Sequence, residues 1–244
     1  DSLKDTGLEC GLSLALGSGE IELAELVRAF SVFPNDGLLR DLQFITDKTN
    51  TSELGTRVYT TDTARLICSI LSDADARELG FGRAHTFITD FPSIFKTGTS
   101  NQYQNITALA ASPEYTVGVW MGNFDGHTVI GKTGSSIPAQ VAKQLLIELH
   151  KQTPYPKTEW SEPSNCIKCK ICPLSGMKAG PDCPATVEEF IPDYNADKLP
   201  TCNWHQGTEI QYPAEYQEWF FNQQRNGSLA YNDSDLNIIQ PANG

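Results

Sequence analysis

Two stretches of the chain carry the tripeptide Lys-Thr-Gly. One is "IFKTGTSN", with Lys96, Thr97, Gly98 and Thr99; the other is "GHTVIGKTGSS", with Lys132, Thr133 and Gly134. A lysine brings positive charge, threonine hydroxyls donate to a carboxylate, and a glycine lets a ligand's backbone come close. On a strand that set suits an acyl-transfer site, where the Gly98–Thr99 backbone can also help a developing oxyanion. The second copy fits a phosphate-loop string, Gly126, four residues, then Gly131-Lys132-Thr133. A phosphate loop needs a strand running in and a helix starting at the Gly-Lys-Thr. Here strand character ends near Met121, "GNFDG" intervenes, and Gly134, two serines and Pro138 come before the next helix. Nucleotide binding is therefore the weakest reading, and the second copy reads as a loop leading into a helix.

Five of the seven cysteines lie between Cys166 and Cys202, as Cys166-x2-Cys169-x2-Cys172, Cys183 and Cys202-x2-His205. The spacings are metal-like, and zinc needs four thiolate or imidazole ligands in a tetrahedron. Disulfides, zinc and a mixed or free-thiol state are all open on spacing alone. No residue is assigned as a metal ligand, and no cofactor is expected. Cys10 and Cys68 sit in apolar segments and read as buried thiols.

Three helices must hold these residues, with two β-type runs between them. "IELAELVRAFSVF" recurs with helical period, with acidic residues in its first turn, and "PNDG" stops it. "TTDTARLICSILSDADARELGFG" reads as one helix capped by Thr61 or Asp62. "SSIPAQVAKQLLIELHKQ" reads as a third, capped by Ser135 or Ser136 with Pro138 in the first turn. "HTFITDFPSIFKTGTS" and "EYTVGVWMGNF" are the β-type runs. Composition shifts near Thr153 into a Pro-rich polar connector. Net charge is −12, against a reader of nucleic-acid backbone, so no nucleic-acid partner is expected. No apolar run approaches the roughly 20 residues of a membrane span. The chain opens on Asp1, and a fragment of a longer protein is the expectation.

"GLSLALGSGEIELAELVRAFSVFPNDG", "FKTGTSNQY" and "YTVGVWMGNFDG", in that order and spacing, resemble the transpeptidase domain of class A penicillin-binding proteins. The resemblance covers about residues 7–152, the C-terminal part of that domain. "CPLSGMKAGPDCPATVEEFIP" and "LPTCNWH" resemble the segment that follows it in the 1C branch of the family. The implied fold class is α+β, an antiparallel sheet with helices packed on it, followed by a small Cys-rich segment. The implied organisation is the transpeptidase part over 1–152, a linker over 153–165, a Cys-rich connector over 166–231 and the start of a truncated β-domain over 232–244.

The resemblance implies a bifunctional peptidoglycan synthase, glycosyltransferase plus D,D-transpeptidase, that binds penicillin. Its partners would be peptidoglycan peptide stems, β-lactams and cell-wall proteins. The location would be the periplasmic face of the bacterial inner membrane, anchored through an N-terminal region outside this sequence. Lys96, Thr97, Gly98 and Thr99 would line the acyl-transfer cleft, with Lys96, Thr97 and Thr99 on the substrate carboxylate and the Thr99 N–H in the oxyanion hole. A periplasmic setting favours disulfides among the clustered cysteines.

The nucleophile would be the serine of a Ser-x-x-Lys motif. The two matches, Ser93 to Lys96 and Ser175 to Lys178, lie on a strand and in the Cys-rich loop. Both read as accidental, so the acylating serine is expected upstream and this segment alone is expected to be inactive. There is also a departure: Gln104 and Asn105 stand where the family carries a charged pair. That keeps an alternative open, a catalytically quiet transpeptidase-like module binding peptidoglycan or partner proteins. Trp160, Trp204, Trp219, Phe220 and Phe221 read as packing of a satellite domain rather than a glycan-stacking surface. His85, His127 and His150 have no evident partner in the sequence.

Overall fold

The computed structural model describes residues 11–17, 19–44, 55–81, 85–153 and 159–225. The chain divides into two compact units, with the boundary between Asn165 and Cys166. The start of a β-domain expected over 232–244 lies outside the described residues, as does Cys10.

In the first unit, α1 (Leu23–Phe30) carries Glu25 in its first turn and Arg28 in its last. It buries Phe30 and leans Leu26 and Val27 on the same cluster. The helix gives way to a turn in which Asp36 and Gly37 both have positive φ. A side chain at Gly37 would meet the Tyr59 carbonyl oxygen at 2.2 Å, so only glycine fits there. Two short strands, β1 (Leu38–Leu39) and β2 (Thr56–Arg57), pair antiparallel beside it.

The long helix expected from residue 61 is two helices, α2 (Thr61–Ser72) and α3 (Ala74–Phe81). Asp73 makes the break: its Oδ1 accepts from the backbone N–H of Asp75 and of Ala76, both at 2.9 Å, and so caps α3. The cap of α2 is Thr60, whose Oγ1 accepts from the Thr63 N–H at 3.2 Å, rather than Thr61 or Asp62. Asp62 instead holds the end of this unit, accepting from the Ser164 N–H at 2.5 Å and the Ser164 hydroxyl at 2.9 Å.

The β-type run from residue 85 is mostly not strand. His85–Phe87 is a 3-10 turn, and only β3 (Ile94–Thr99) is extended and paired. With β4 (Asn105–Ala111) and β5 (Thr116–Gly122) it makes an antiparallel sheet ordered β3-β4-β5. The register sets Ile94 opposite Ala111 and Thr99 opposite Ile106.

Helices cover both faces of this sheet. Phe95, Ala108, Ala110 and Val117 pack on α4 (Ile137–His150) through Ala139, Ala142 and Leu146. Ile94, Leu109 and Ala111 pack on Phe30 of α1 and Cys68 of α2. Double coverage explains why β4 reads "NITALAA" without polar alternation. The α+β architecture with helices on an antiparallel sheet is thus the one expected from the sequence. Gly118 of β5 lets α1 approach, since a Cβ there would lie 2.2 Å from Val27 Cγ2.

The second unit is small. β6 (Cys166–Ile171) and β7 (Val187–Pro192) form an antiparallel pair, followed by a single helical turn, α5 (Asp193–Ala196). β8 (His205–Gln206) and β9 (Glu209–Ile210) form a tight hairpin through Gly207 at φ 60°. The last element is α6 (Ala214–Arg225). No described helix is long and apolar enough to cross a membrane.

Candidate functional site

Lys96, Thr97, Gly98 and Thr99 lie on β3, which is an edge strand among the described residues. Strand alternation sends them to two faces. Lys96 is exposed and shares its face with Ile94, which packs toward α1 and α2. Its Nζ donates to the Thr97 carbonyl at 2.7 Å. Thr97 and Thr99 share the α4 face with Phe95. Their side chains therefore converge, among the described residues, only along the edge of the strand.

A cleft of about 240 Å³ lies beside that edge, lined by Lys96, Thr97, Phe95, Phe87, Leu71 and Arg77 among others. Arg77 gave no signal in the sequence, because an arginine in an amphipathic helix is ordinarily a surface charge. Here its guanidinium lies 5.1 Å from the centre of the Phe87 ring and donates to the carbonyls of Leu71 and Phe87. Burial pulls its pKa below the usual arginine value, partly offset by Asp73.

The second Lys-Thr-Gly is no phosphate loop, since Gly131 to Gly134 do not open the helix directly. It is nevertheless packed on the first. The Gly134 N–H donates to Thr99 Oγ1 at 3.2 Å. A Cβ on Gly134 would lie 2.5 Å from the Thr107 carbonyl oxygen, 2.9 Å from that of Gly98 and 2.9 Å from Thr97 Cβ. Ser136 stands at the start of α4, but its hydroxyl donates to the Thr133 carbonyl at 2.6 Å and makes no cap hydrogen bond to the helix.

Neither Ser-x-x-Lys match builds a serine–lysine dyad. Ser93 is buried, with its Oγ 2.7 Å from Thr89 Oγ1, while Lys96 points to solvent. Ser175 Oγ accepts from the Met177 N–H in the Cys-rich unit, where Ser175 also hydrogen-bonds the Cys202 thiol. At the positions that depart from the family pattern, Asn105 Oδ1 accepts from the Trp120 indole at 3.0 Å. Gln102 and Tyr103 hold the preceding turn with positive φ.

The cysteine cluster separates into two sets. Cys166 and Cys169 lie on β6, three residues apart and so on opposite faces. Cys172, Cys183, Cys202 and His205 converge, with their ligand atoms all within 4.8 Å of one another. His205 Nδ1 is 3.6 Å from Cys172 Sγ, 3.6 Å from Cys183 Sγ and 3.4 Å from Cys202 Sγ. The disulfides expected here are not formed, for no described cysteine is in one. Instead, three thiols surround one imidazole.

Burial pushes the Cys202 thiol up, but hydrogen bonds from Ser175, His205 and the backbone outweigh it and bring it to about 6. Burial and the neighbouring Cys202 and Cys172 push the Cys183 thiol up, against a hydrogen bond from the Gly180 N–H. Burial, with a smaller contribution from Asp36, pushes the Cys68 thiol to about 12, as suits an inert core cysteine.

The other singled-out side chains are mostly structural. Trp160 packs on the cluster of Phe30, Cys68 and Ile94. Trp204, Tyr212, Tyr216, Trp219 and Phe220 contact one another in the second unit. His150, without a partner in the sequence, is buried: it stacks on Phe91 at 3.7 Å, and its Nε2 is 3.5 Å from Glu114.

No family model matches the chain. Among curated proteins, it is 22% identical over 160 residues to penicillin-binding protein 1A of Clostridium novyi, covering 62% of this chain and 18% of that protein. It is 30% identical over 119 residues to penicillin-binding protein 1A of Clostridium tetani, covering 46% of this chain and 15% of that one. It is 28% identical over 134 residues to penicillin-binding protein 1C of Escherichia coli, covering 54% and 16%. The chain thus spans less than a fifth of these relatives' length. The crystal structure of penicillin-binding protein 1A from Haemophilus influenzae superposes with a TM-score of 0.59 at 18% identity, covering 83% of this chain and 34% of that one. That likeness shows the fold. In sequence the chain is thus similar to penicillin-binding proteins of the 1A and 1C types, and its sheet with helices on both faces has the fold of the Haemophilus influenzae structure over most of its length.

Proposed function

We propose that this chain supplies the Lys-Thr-Gly side of the acyl-transfer cleft in a bifunctional peptidoglycan synthase at the periplasmic face of the inner membrane. The observation that carries the reading is the edge of β3, unpaired among the described residues, beside a cleft with Lys96 and Thr97 at the lip. An extended peptide stem or a β-lactam could align along that edge as an added strand. Lys96 would then attract its carboxylate, Thr97 and Thr99 would donate to it, and the Thr99 N–H would face the oxyanion. The nucleophilic serine belongs to sequence outside this chain. The reading extends to the longer protein only as its partner activities, glycan polymerisation and peptide cross-linking.

The test has two arms. The 244-residue chain incubated with a labelled penicillin is expected to form no covalent adduct, and a stoichiometric adduct would sink the assignment of the nucleophile. In the longer protein, Lys96→Ala is expected to slow acylation by about 10²-fold or more. Acylation of that variant at the parental rate would remove Lys96 from the site. A longer protein that never labels would favour the quiet peptidoglycan-binding module, the reading motivated by Gln104 and Asn105.

A further inference from the structure

The second unit lacks an apolar core large enough to explain its fold. Among its described residues only Ile171, Cys172, Ala196, Cys202 and His205 are buried. Three of these five can bind a metal, and two aliphatic side chains cannot organise some sixty residues. Small units with so little core ordinarily depend on disulfides or a metal.

The three buried ligands and Cys183 come from three separate places in the chain, with Cys202 and His205 on one segment. Cys172 follows β6 directly, where its N–H donates to the Met177 carbonyl and its carbonyl accepts from the Gly176 N–H, closing a tight turn. Cys183 ends a second turn in which the Gly180 N–H donates to its Sγ at 3.3 Å. Cys202 is fixed by its N–H to the Lys178 carbonyl at 2.7 Å, and His205 opens β8.

The spacing of the ligand atoms suits a tetrahedral metal ion. A tetrahedral zinc with bonds of about 2.3 Å to sulfur and about 2.05 Å to nitrogen has S···N edges of about 3.6 Å. The three observed S···N separations are 3.6, 3.6 and 3.4 Å. A disulfide would bring two sulfurs to about 2.05 Å and leave the third thiol beside the imidazole. Three thiols cannot all pair, whereas three thiolates and one imidazole complete a closed structural zinc site.

We propose that Cys172, Cys183, Cys202 and Nδ1 of His205 bind one zinc ion, which holds the 166–225 unit together. The site is structural, because four protein ligands leave no position open for water or substrate. Cys166 and Cys169 take no part, despite their Cys-x2-Cys spacing.

The 244-residue chain, purified without chelator, is expected to contain about one zinc per molecule by elemental analysis. Cobalt(II) added to the metal-stripped, reduced chain is expected to give the d–d and thiolate charge-transfer absorption of a tetrahedral site. Cys172→Ser with Cys202→Ser should lower bound zinc roughly tenfold or more, while Cys169→Ser should keep it. Since the double variant could lose zinc by misfolding, His205→Cys serves as the control. It preserves four ligands and should retain zinc with stronger cobalt charge transfer. A metal-free chain that takes up neither zinc nor cobalt when reduced overturns the proposal. So does a disulfide between any two of Cys172, Cys183 and Cys202 in the isolated protein, or zinc undiminished in the double variant.

Discussion

At the scale of single residues, Asp62 ties two distant parts of the first unit together. Its carboxylate accepts from the backbone and the hydroxyl of Ser164, 102 positions away. These hydrogen bonds hold its carboxyl below the ordinary value of 3.8, with a further small contribution from Arg65. A folded pKa below the unfolded one stabilises the native state above the unfolded value, and that contribution is lost as pH falls through the folded value. Asp62→Asn keeps an acceptor and removes the titration. The parent is therefore expected to lose thermal stability on acidification below about 3.8 more steeply than Asp62→Asn. Coincident acid limbs in differential scanning calorimetry would remove Asp62 from that role.

At the scale of elements, α4 carries one whole face of the sheet. Leu146 is fully buried against Phe95, Ala108 and Ala110. Leu146→Ala is expected to cost about 2–5 kcal/mol, read as a lower urea midpoint at unchanged slope. The helical period of α1, α2 and α4 was legible in the sequence because each buries one stripe of apolar residues. What was not legible turned on competition between neighbours of the same type. Thr60, Thr61 and Asp62 are all good caps, and only the tertiary contact with Ser164 draws Asp62 away and leaves Thr60 to cap. Asp73 interrupts an otherwise continuous helical pattern because its carboxylate serves the next helix better than the last. In the candidate site, the Lys-Thr-Gly tripeptide was visible as a string, and Arg77 was not. The convergence of Cys172, Cys183, Cys202 and His205 could not be told from the misleading Cys-x2-Cys repeats, since it depends on the pairing of β6 with β7 and on the turns that follow.

At the scale of the whole molecule, the two units rest on different physics. The first has a sheet buried between helices, and the second has a few buried residues around three thiols and an imidazole. Two calorimetric transitions are expected. A strong chelator should abolish or shift the one belonging to residues 166–225 while leaving that of the β3-β4-β5 sheet in place. A chelator that shifts neither transition, or the sheet's alone, would contradict this division.

Under the proposed acyl-transfer role, the packing of Gly134 on the Lys96 strand bears on how drug tolerance would evolve. Thr99 is held by an amide from a loop thirty-five positions downstream, and that loop has no room for a side chain at Gly134. If the strand aligns a drug, drug tolerance need not arise from residues that touch it. Substitutions across the Gly131–Ser136 loop would tilt Thr97 and Thr99 from behind, and a survey of resistant strains confined to the strand itself would overlook them.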